Sequence, residues 1–280
     1  MPDLLPILFG VIVGLTLGLT GGGGSIFALP LLVYGMGVDP HQAVAVSLAA
    51  VGATAAIGAI HRLRRGEMEI GVGLIFAAAG SLGTPVGAWI GARLPSDLLL
   101  LTFSGLMLFV AVRMWLRSIR RPEESLIVRG SIWDDDDTNG PACRHDPTGR
   151  LRLTGRCTIA MSVVGLVTGI LSGLLGVGGG FIIVPALMFF STLGVYRAVA
   201  TSLLVITIIG SAGLISHLVA GNPLDLAMTA KFVIGGTIGM GLGTRLSLRL
   251  SGPALQRLFA VAILLLASFM VASHLFGAGE

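Results

Sequence analysis

The feature that most constrains this chain is a series of long, uninterrupted hydrophobic stretches. A helix needs about 20 apolar residues to cross the hydrocarbon core of a bilayer, and each stretch can meet that length. A transmembrane β-barrel would instead show strands of about 10 residues with alternating hydrophobicity. The sequence therefore predicts an all-α polytopic membrane protein. The stretches are residues 4–34, 43–61, 70–92, 97–117, 157–193, 198–220, 226–247 and 254–276.

The composition agrees with a membrane location. Hydrophobic residues make up 54% of the 280 residues and charged residues only 11%, whereas a soluble domain is about 25% charged. Glycine is abundant, at 42 residues, and small residues let helices approach closely in lipid. The net charge of +4 comes from arginines spread along the loops. This distribution indicates membrane orientation, so we expect no nucleic-acid partner.

A polar segment, residues 118–156, separates two hydrophobic halves. It holds four consecutive acids, Asp134 to Asp137, together with several Pro and Gly, a composition typical of a solvated loop. One Cys and one His within it lack the paired spacing of a zinc site, and we expect neither a metal nor a cofactor. The predicted organisation is membrane repeat 1 at residues 1–117, a cytoplasmic linker at 118–156 and membrane repeat 2 at 157–280.

The two halves match each other without gaps at a constant offset of 155 residues, as from Gly14 to Gly169. An internal duplication of about four hydrophobic stretches is typical of secondary transporters. The matching positions are Gly14, Gly18, Gly21, Gly24, Pro30, Ala43, Val44, Ser47 and Leu48 in the first half, and Gly169, Gly173, Gly176, Gly179, Pro185, Ala198, Val199, Ser202 and Leu203 in the second.

The placement of Lys and Arg distinguishes parallel from inverted halves. As straight helices, stretches 4–34 and 157–193 would be roughly 45 and 55 Å long, longer than a core of about 30 Å. If each folds back as a re-entrant hairpin, each half crosses three times and the second half is inverted. All 18 Lys and Arg except Arg93 and Lys231 then lie inside. Single crossings would leave outside Arg93, Arg197, Arg245, Arg249 and Arg257. We therefore expect inverted halves.

Each long stretch contains a Gly-rich break, at 21–24 and at 176–180. Glycine costs roughly 1 kcal/mol relative to alanine in a helix, so each run predicts an unwound point. A half-helix that starts there directs free N–H groups and a positive dipole end into a protein-lined cavity, where an anion can bind. Glycine used for close helix packing is the alternative. The predicted substrate-binding residues are Thr20, Gly21, Gly22, Gly23, Gly24, Ser25, Gly176, Gly178, Gly179, Gly180 and Phe181.

Hydroxyl groups beside the breaks are further candidates. Ser47 in the first half, and Thr201 with Ser202 in the second, begin the crossing that follows each break. We expect them to line the same cavity, unless their hydroxyls bond the backbone of their own helix. Ser172 precedes the second break, and Gly180 occupies the position that matches Ser25. The two breaks therefore differ chemically.

The charged residues favour an anion over a cation. Arg93 and Arg245 end the third and seventh stretches, where they could attract an anion or, more simply, snorkel to the interface. His61 and His217 close the second and sixth stretches, which favours an interfacial role. None of the 14 Asp and Glu lies in the middle of a stretch. An intramembrane carboxylate relay for protons is therefore not expected.

These glycine motifs resemble the sulfite exporter TauE/SafE family, also called the TSUP permeases. The resemblance covers both hydrophobic halves but not the acidic linker, and in the second half Thr244 replaces the Ala of the Gly-Ala-Arg element. It implies a multi-pass permease of the bacterial or archaeal cytoplasmic membrane for sulfite, sulfoacetate or another organosulfonate. The elements are Gly14-x-x-x-Gly18-x-x-Gly21-Gly22-Gly23-Gly24 with Pro30, Gly169-x-x-x-Gly173-x-x-Gly176-x-Gly178-Gly179-Gly180 with Pro185, and Gly91-Ala92-Arg93.

The predicted function is transport of a sulfur-containing anion by alternating access around the two breaks. The expected partners are a small anionic substrate and the lipid bilayer, and a homodimer is left open. A passive anion channel is the alternative. An intramembrane enzyme is not expected, because the Ser-Gly pairs lack the Gly two residues earlier that a rhomboid-like protease needs, and because the stretches hold no cluster of His or acids.

Overall fold

The computed structural model describes residues 4–120, 144–145, 151–152, 155–190, 195–221, 224–247 and 261–270. These residues are mostly helical, as predicted. A pair of two-residue antiparallel strands, β1 (Arg144–His145) and β2 (Leu151–Arg152), is the exception within this described part. The helices are α1 (Leu5–Thr20), α2 (Ala28–Met36), α3 (Pro40–Arg64), α4 (Ile70–Gly91), α5 (Ser96–Arg120), α6 (Gly155–Leu175), α7 (Gly180–Phe190), α8 (Val195–Val219), α9 (Leu226–Ser247) and α10 (Val261–Met270), with a 3₁₀ turn at Gly23–Phe27.

Local sequence explains where several helices begin and end. Asp39 accepts hydrogen bonds from the N–H groups of His41 and Gln42, which caps the start of α3. Pro40 fits the first turn, because its missing N–H would have no helical acceptor there. Helix α1 ends at Gly21, which has a φ of +75°, a left-handed conformation that glycine adopts easily.

Five helices of the described residues are long and apolar enough to cross a membrane: α3, α4, α8, α9 and the Thr158–Leu175 part of α6. Their outer faces expose large apolar side chains, such as Leu82 at 74% and Val219 at 84%. Soluble monomers rarely expose contiguous apolar surface of this kind. The chain is therefore a multi-pass helical membrane protein.

Two helix pairs pack so closely that glycine is required between them. A Cβ added to the glycines of α1 would overlap main-chain atoms of α9, and the glycines of α9 lie equally close to α1. The pair α4 and α6 is built in the same way. Contacts advance in the same direction along both partners, so each pair is parallel. The α1–α9 glycines are Gly10, Gly14, Gly18, Gly235, Gly239 and Gly243; the α4–α6 glycines are Gly83, Gly87, Gly165, Gly169 and Gly173.

Helices α3 and α8 cross at the centre and run antiparallel. Gly52 lies against Gly210, Gly213 lies against Leu48, and Gly58 lies against Leu203. As the residue number rises on one helix, it falls on the other. Each of the three pairs therefore joins one helix from the first half of the chain to one helix from the second, and the core lies between the halves.

The predicted linker overlaps the ends of two helices. Helix α5 continues to Arg120 and α6 begins at Gly155, inside the 118–156 boundaries, and β1 and β2 lie between them. The rest of the linker, with its acidic run, lies outside the described residues. Of the eighth hydrophobic stretch, 254–276, the described part is α10.

Candidate functional site

The two Gly-rich breaks lie against each other between the two halves. A Cβ on Gly22 would overlap the carbonyl oxygen of Gly180, and a Cβ on Gly180 would overlap the carbonyl oxygen of Gly22. The φ of Gly22 is 177°, an extended conformation open to any residue. Close approach of the two backbones, and not backbone conformation, is therefore what requires glycine at Gly22.

The second break has an unusual backbone. Gly176, Gly178 and Gly179 have φ values of +72°, +65° and +66°, all left-handed. The first break has one such residue, Gly21, and then passes through Gly22 into the 3₁₀ turn that contains Gly23 and Gly24. Successive N–H groups around left-handed residues form concave surfaces that bind anions. The second break is the more strongly shaped of the two.

Both breaks leave main-chain donors unused. Among the described residues, the N–H groups of 22–24 and 177–179 donate no hydrogen bond to a main-chain oxygen outside the helices. The bonds resume at Ser25, whose N–H lies 3.3 Å from the Gly22 oxygen, and at Ile182, whose N–H lies 3.0 Å from the Gly179 oxygen. Buried main-chain donors without partners are rare and destabilising. Two such groups of donors that meet at the Gly22–Gly180 contact form a candidate anion site.

Ser47 and Ser202 hold the breaks in place from the opposite half. The Ser47 hydroxyl of α3 donates to the Gly176 oxygen at 2.7 Å. The Ser202 hydroxyl of α8 lies 2.5 Å from the Gly21 oxygen and 2.8 Å from the Val199 oxygen of its own helix. Each serine thus bonds the break of the other half. In this structure both hydroxyls support the main chain of the site.

Most other predicted hydroxyls are also engaged. Thr20 donates to the Thr16 oxygen at 2.8 Å, and Ser25 donates to the Gly22 oxygen at 2.8 Å. Thr201 accepts the N–H of Glu69 at 3.0 Å. The Ser172 hydroxyl differs, because it is the one buried side-chain polar atom without a partner in the described part of the chain. It lies one turn before Gly176.

The remaining predicted residues are spread between the site and the surface. Phe181 lies in the first turn of α7, directly after the second break. Arg93 is exposed; it donates to the Trp89 oxygen at 3.1 Å and stacks 3.6 Å from the centre of the Trp89 ring. Arg245 is exposed near the end of α9. The breaks are buried, whereas both arginines are exposed. Within the described residues, no three His, Cys, Asp or Glu side chains cluster as a metal site requires.

Two buried basic residues, Arg62 and His217, were not among the predicted site residues. Arg62 near the end of α3 and His217 near the end of α8 are both buried. They occupy matching positions at the 155-residue offset. His217 Nε2 lies 2.7 Å from the Gly173 oxygen, just before the second break. The 155-residue offset relates these two positions, but the apolar stretch 43–61 ends before Arg62, and His217 was predicted only as an interfacial residue.

The relatives of this helical membrane protein define its class and its family. Residues 6–270 match the family described as Sulfite exporter TauE/SafE. A "Probable membrane transporter protein" of Xylella fastidiosa (strain Temecula1) is 35% identical over 94% of this chain and 92% of its own length. The "Probable membrane transporter protein YdhB" of Bacillus subtilis is 26% identical over 86% and 89%.

The chain belongs to the TauE/SafE family and is a membrane transporter, as the glycine motifs predicted. No solved structure matches it.

Proposed function

We propose that this chain is a permease of the cytoplasmic membrane that moves a sulfur-containing anion by alternating access around the two Gly-rich breaks. The candidate substrates are sulfite, sulfoacetate and other organosulfonates. The observation that carries the proposal is the contact between Gly22 and Gly180, which joins two groups of unused main-chain N–H donors. A sulfonate or sulfite group offers several oxygens that can accept such donors together.

The chemistry of the breaks suits a substrate that must also leave. Main-chain N–H groups complement a negative charge without a fixed positive charge that would hold the anion too tightly. The unpartnered Ser172 hydroxyl next to the second break adds one side-chain donor. Binding by the breaks would satisfy main-chain groups that are otherwise buried without acceptors, which favours the bound state.

Inverted halves are part of this proposal, and the helix directions support them. If each half crosses three times, α3 and α8 run in opposite directions; if each crosses four times, they run in the same direction. The antiparallel contacts of α3 with α8 support the first arrangement. The parallel contacts of α4 with α8, where Gly73 meets Thr201 and Gly80 meets Ile209, agree with it.

The re-entrant hairpin has separate support. Gly24 lies against Leu17 and Thr16 at the end of α1, and Gly35 near the end of α2 lies against Phe9 near the start of α1. Helix α2 therefore runs back along α1. We propose that the pair enters and leaves the membrane on one side, and that α6 with α7 does so from the other side.

The test is flux in proteoliposomes with sulfite, sulfate, thiosulfate, sulfoacetate and taurine, each with and without a pH gradient. We expect saturable flux of at least one sulfur anion. Gly180→Val should abolish it, because the added side chain would separate the two breaks. Gly241→Val is the matched control, since no atom lies within 4 Å of a Cβ at that position. Absence of flux for the whole panel would refute the substrate class, and non-saturable flux would favour the passive channel.

A further inference from the structure

Arg62 is a mostly buried cation with unused hydrogen-bond donors. It lies in the last turn of α3 and is 8% exposed. Its guanidinium presents several N–H groups in a planar fork. The Glu67 carboxylate is its ion-pair partner, with Oε2 3.6 Å from Nη1, beyond hydrogen-bonding distance. Among the described residues, none accepts a hydrogen bond from this guanidinium.

The surroundings of Arg62 carry an excess of positive charge. Arg65 lies close enough to interact with it electrostatically. At the start of α8, Arg197 forms an ion pair with Glu69 at 2.8 Å, which commits the Glu69 carboxylate. Among the described residues, Glu67 is the carboxylate that interacts with Arg62. Its side chain is 39% exposed, so it can turn toward water without a large desolvation penalty.

We propose that Arg62 is a second anion-binding residue, which receives the transported oxyanion at the end of α3 in exchange for the Glu67 carboxylate. This inference rests on the proposed function. A carboxylate at 3.6 Å compensates the charge of Arg62 but leaves its donors unfilled. A sulfonate or sulfite group can accept two parallel N–H bonds from a guanidinium, the geometry that gives arginine its preference for oxyanions.

The position of Arg62 connects it to the breaks. Helix α3 also carries Ser47, which holds the second break, and the two residues are separated by roughly 22 Å along the helix axis. His217 occupies the matching position on α8, at the opposite end of the central pair because the two helices are antiparallel. Its Nε2 is bonded to the Gly173 oxygen. Of the two matching basic residues, Arg62 is the one whose described N–H donors lack acceptors. We therefore place anion binding at the end of the α3–α8 pair that carries Arg62.

The experiment measures the concentration dependence of sulfite flux in proteoliposomes for Arg62→Gln, Arg62→Lys and Glu67→Gln. The matched control is Arg64→Gln, since Arg64 is an exposed arginine two residues further along the chain. We expect Arg62→Gln to raise KM at least tenfold. The KM of Arg62→Lys should lie between those of the wild type and Arg62→Gln. Glu67→Gln should lower KM two- to fivefold, because it removes the competing carboxylate. A gain of affinity cannot arise from misfolding.

Equal KM values for Arg62→Gln and Arg64→Gln, or a raised KM in Glu67→Gln, would overturn the proposal. Liposomes of phosphatidylcholine alone and with phosphatidylglycerol separate the two sources of oxyanion. A difference that requires phosphatidylglycerol would identify a lipid headgroup as the ligand and would overturn the assignment to the transported anion.

The two proposals can fail separately. If the wild type shows no flux of sulfite or of any other sulfur anion, the proposed function fails. The Arg62 site is then judged by the melting temperature of the detergent-purified protein against sulfite concentration. Stabilisation that is lost in Arg62→Gln and kept in Arg64→Gln would support an anion site at Arg62. Absence of stabilisation in the wild type would overturn that site as well.

Discussion

The bond from Ser47 to the second break gives the sharpest test of the site geometry. Ser47→Ala removes a hydroxyl that donates at 2.7 Å to the buried oxygen of Gly176. This oxygen lies outside a helix, and no other described donor replaces the hydroxyl. A buried acceptor left without its donor destabilises a protein by about 1–3 kcal/mol. We expect a loss of that size in the free energy of unfolding, measured by denaturant unfolding in one detergent, together with reduced flux.

Ser104→Ala is the matched control for this substitution. Ser104 is also buried, and its hydroxyl donates at 2.8 Å to the Leu100 oxygen of its own helix, α5. That oxygen keeps its main-chain helical bond after the substitution, so the loss should stay below about 1 kcal/mol. If Ser47→Ala unfolds and transports like Ser104→Ala, the hydroxyl does not hold the break and the reasoning is wrong.

Three further predictions concern other parts of the molecule. Ser25→Ala should weaken anion binding by about 1 kcal/mol, measured by titration calorimetry, because the hydroxyl no longer fixes the Gly22 oxygen; unchanged affinity would exclude this role. Glu69→Gln should lower the free energy of unfolding by at most about 1 kcal/mol, and less at high salt, since its partner Arg197 is about half exposed; a larger, salt-independent loss would contradict this. A thiol reagent applied from outside should reach a Cys placed at Glu280 but not the native Cys143, and labelling of both from one side would refute inverted halves.

The breaks could be predicted from the sequence because glycine acts locally. A run such as Gly21 to Gly24 is a poor helix former in any context, and the offset repeat located its counterpart at 176–180. Only the expected symmetry of the two halves suggested that the breaks would contact each other. The close approach of Gly22 to Gly180 depends on how the two halves pack, which a single sequence does not encode in any local pattern.

The hydrogen-bond partners of Ser47 and Ser202 depend on tertiary structure, which a local sequence pattern does not encode. Their positions after each break predicted that they would line the same cavity as the breaks, and in the structure their hydroxyls contact main-chain oxygens of the breaks. The sequence did not assign either serine to a particular break; in the structure Ser47 bonds Gly176 and Ser202 bonds Gly21. This exchange follows from the antiparallel crossing of α3 and α8, a tertiary feature.

Arg62 was not predicted as a site residue, because the apolar stretch 43–61 ends just before it. The run ends near residue 61, yet the helix continues to Arg64, and the Arg62 side chain turns inward. The same criterion placed Arg93 and Arg245 at the ends of stretches, where attraction of an anion and, more simply, snorkelling to the interface were both predicted as roles. In the structure both are exposed, and Arg93 stacks on Trp89. Hydropathy registers charge, but not the direction in which a side chain leaves the helix.

The glycine contacts also determine which helices can move together. Helix α1 of the first half is fitted against α9 of the second, and α4 is fitted against α6, with glycine at each close approach. Separating either pair would lose extensive main-chain packing, on which helix association in lipid depends. Alternating access should therefore move α1 with α9, and α4 with α6, so that each rigid unit contains helices of both halves.

Spin labels on lipid-exposed residues can test this division. Leu8 on α1, Ile238 on α9 and Leu82 on α4 are all exposed. We expect the Leu8–Ile238 distance to stay constant when the substrate anion is added, because both labels report on one tightly packed pair. The Leu8–Leu82 distance should change, since these labels lie on different pairs. A shift in the first distance with a constant second one would mean that the sequence halves are the moving units, and that glycine packing does not define them.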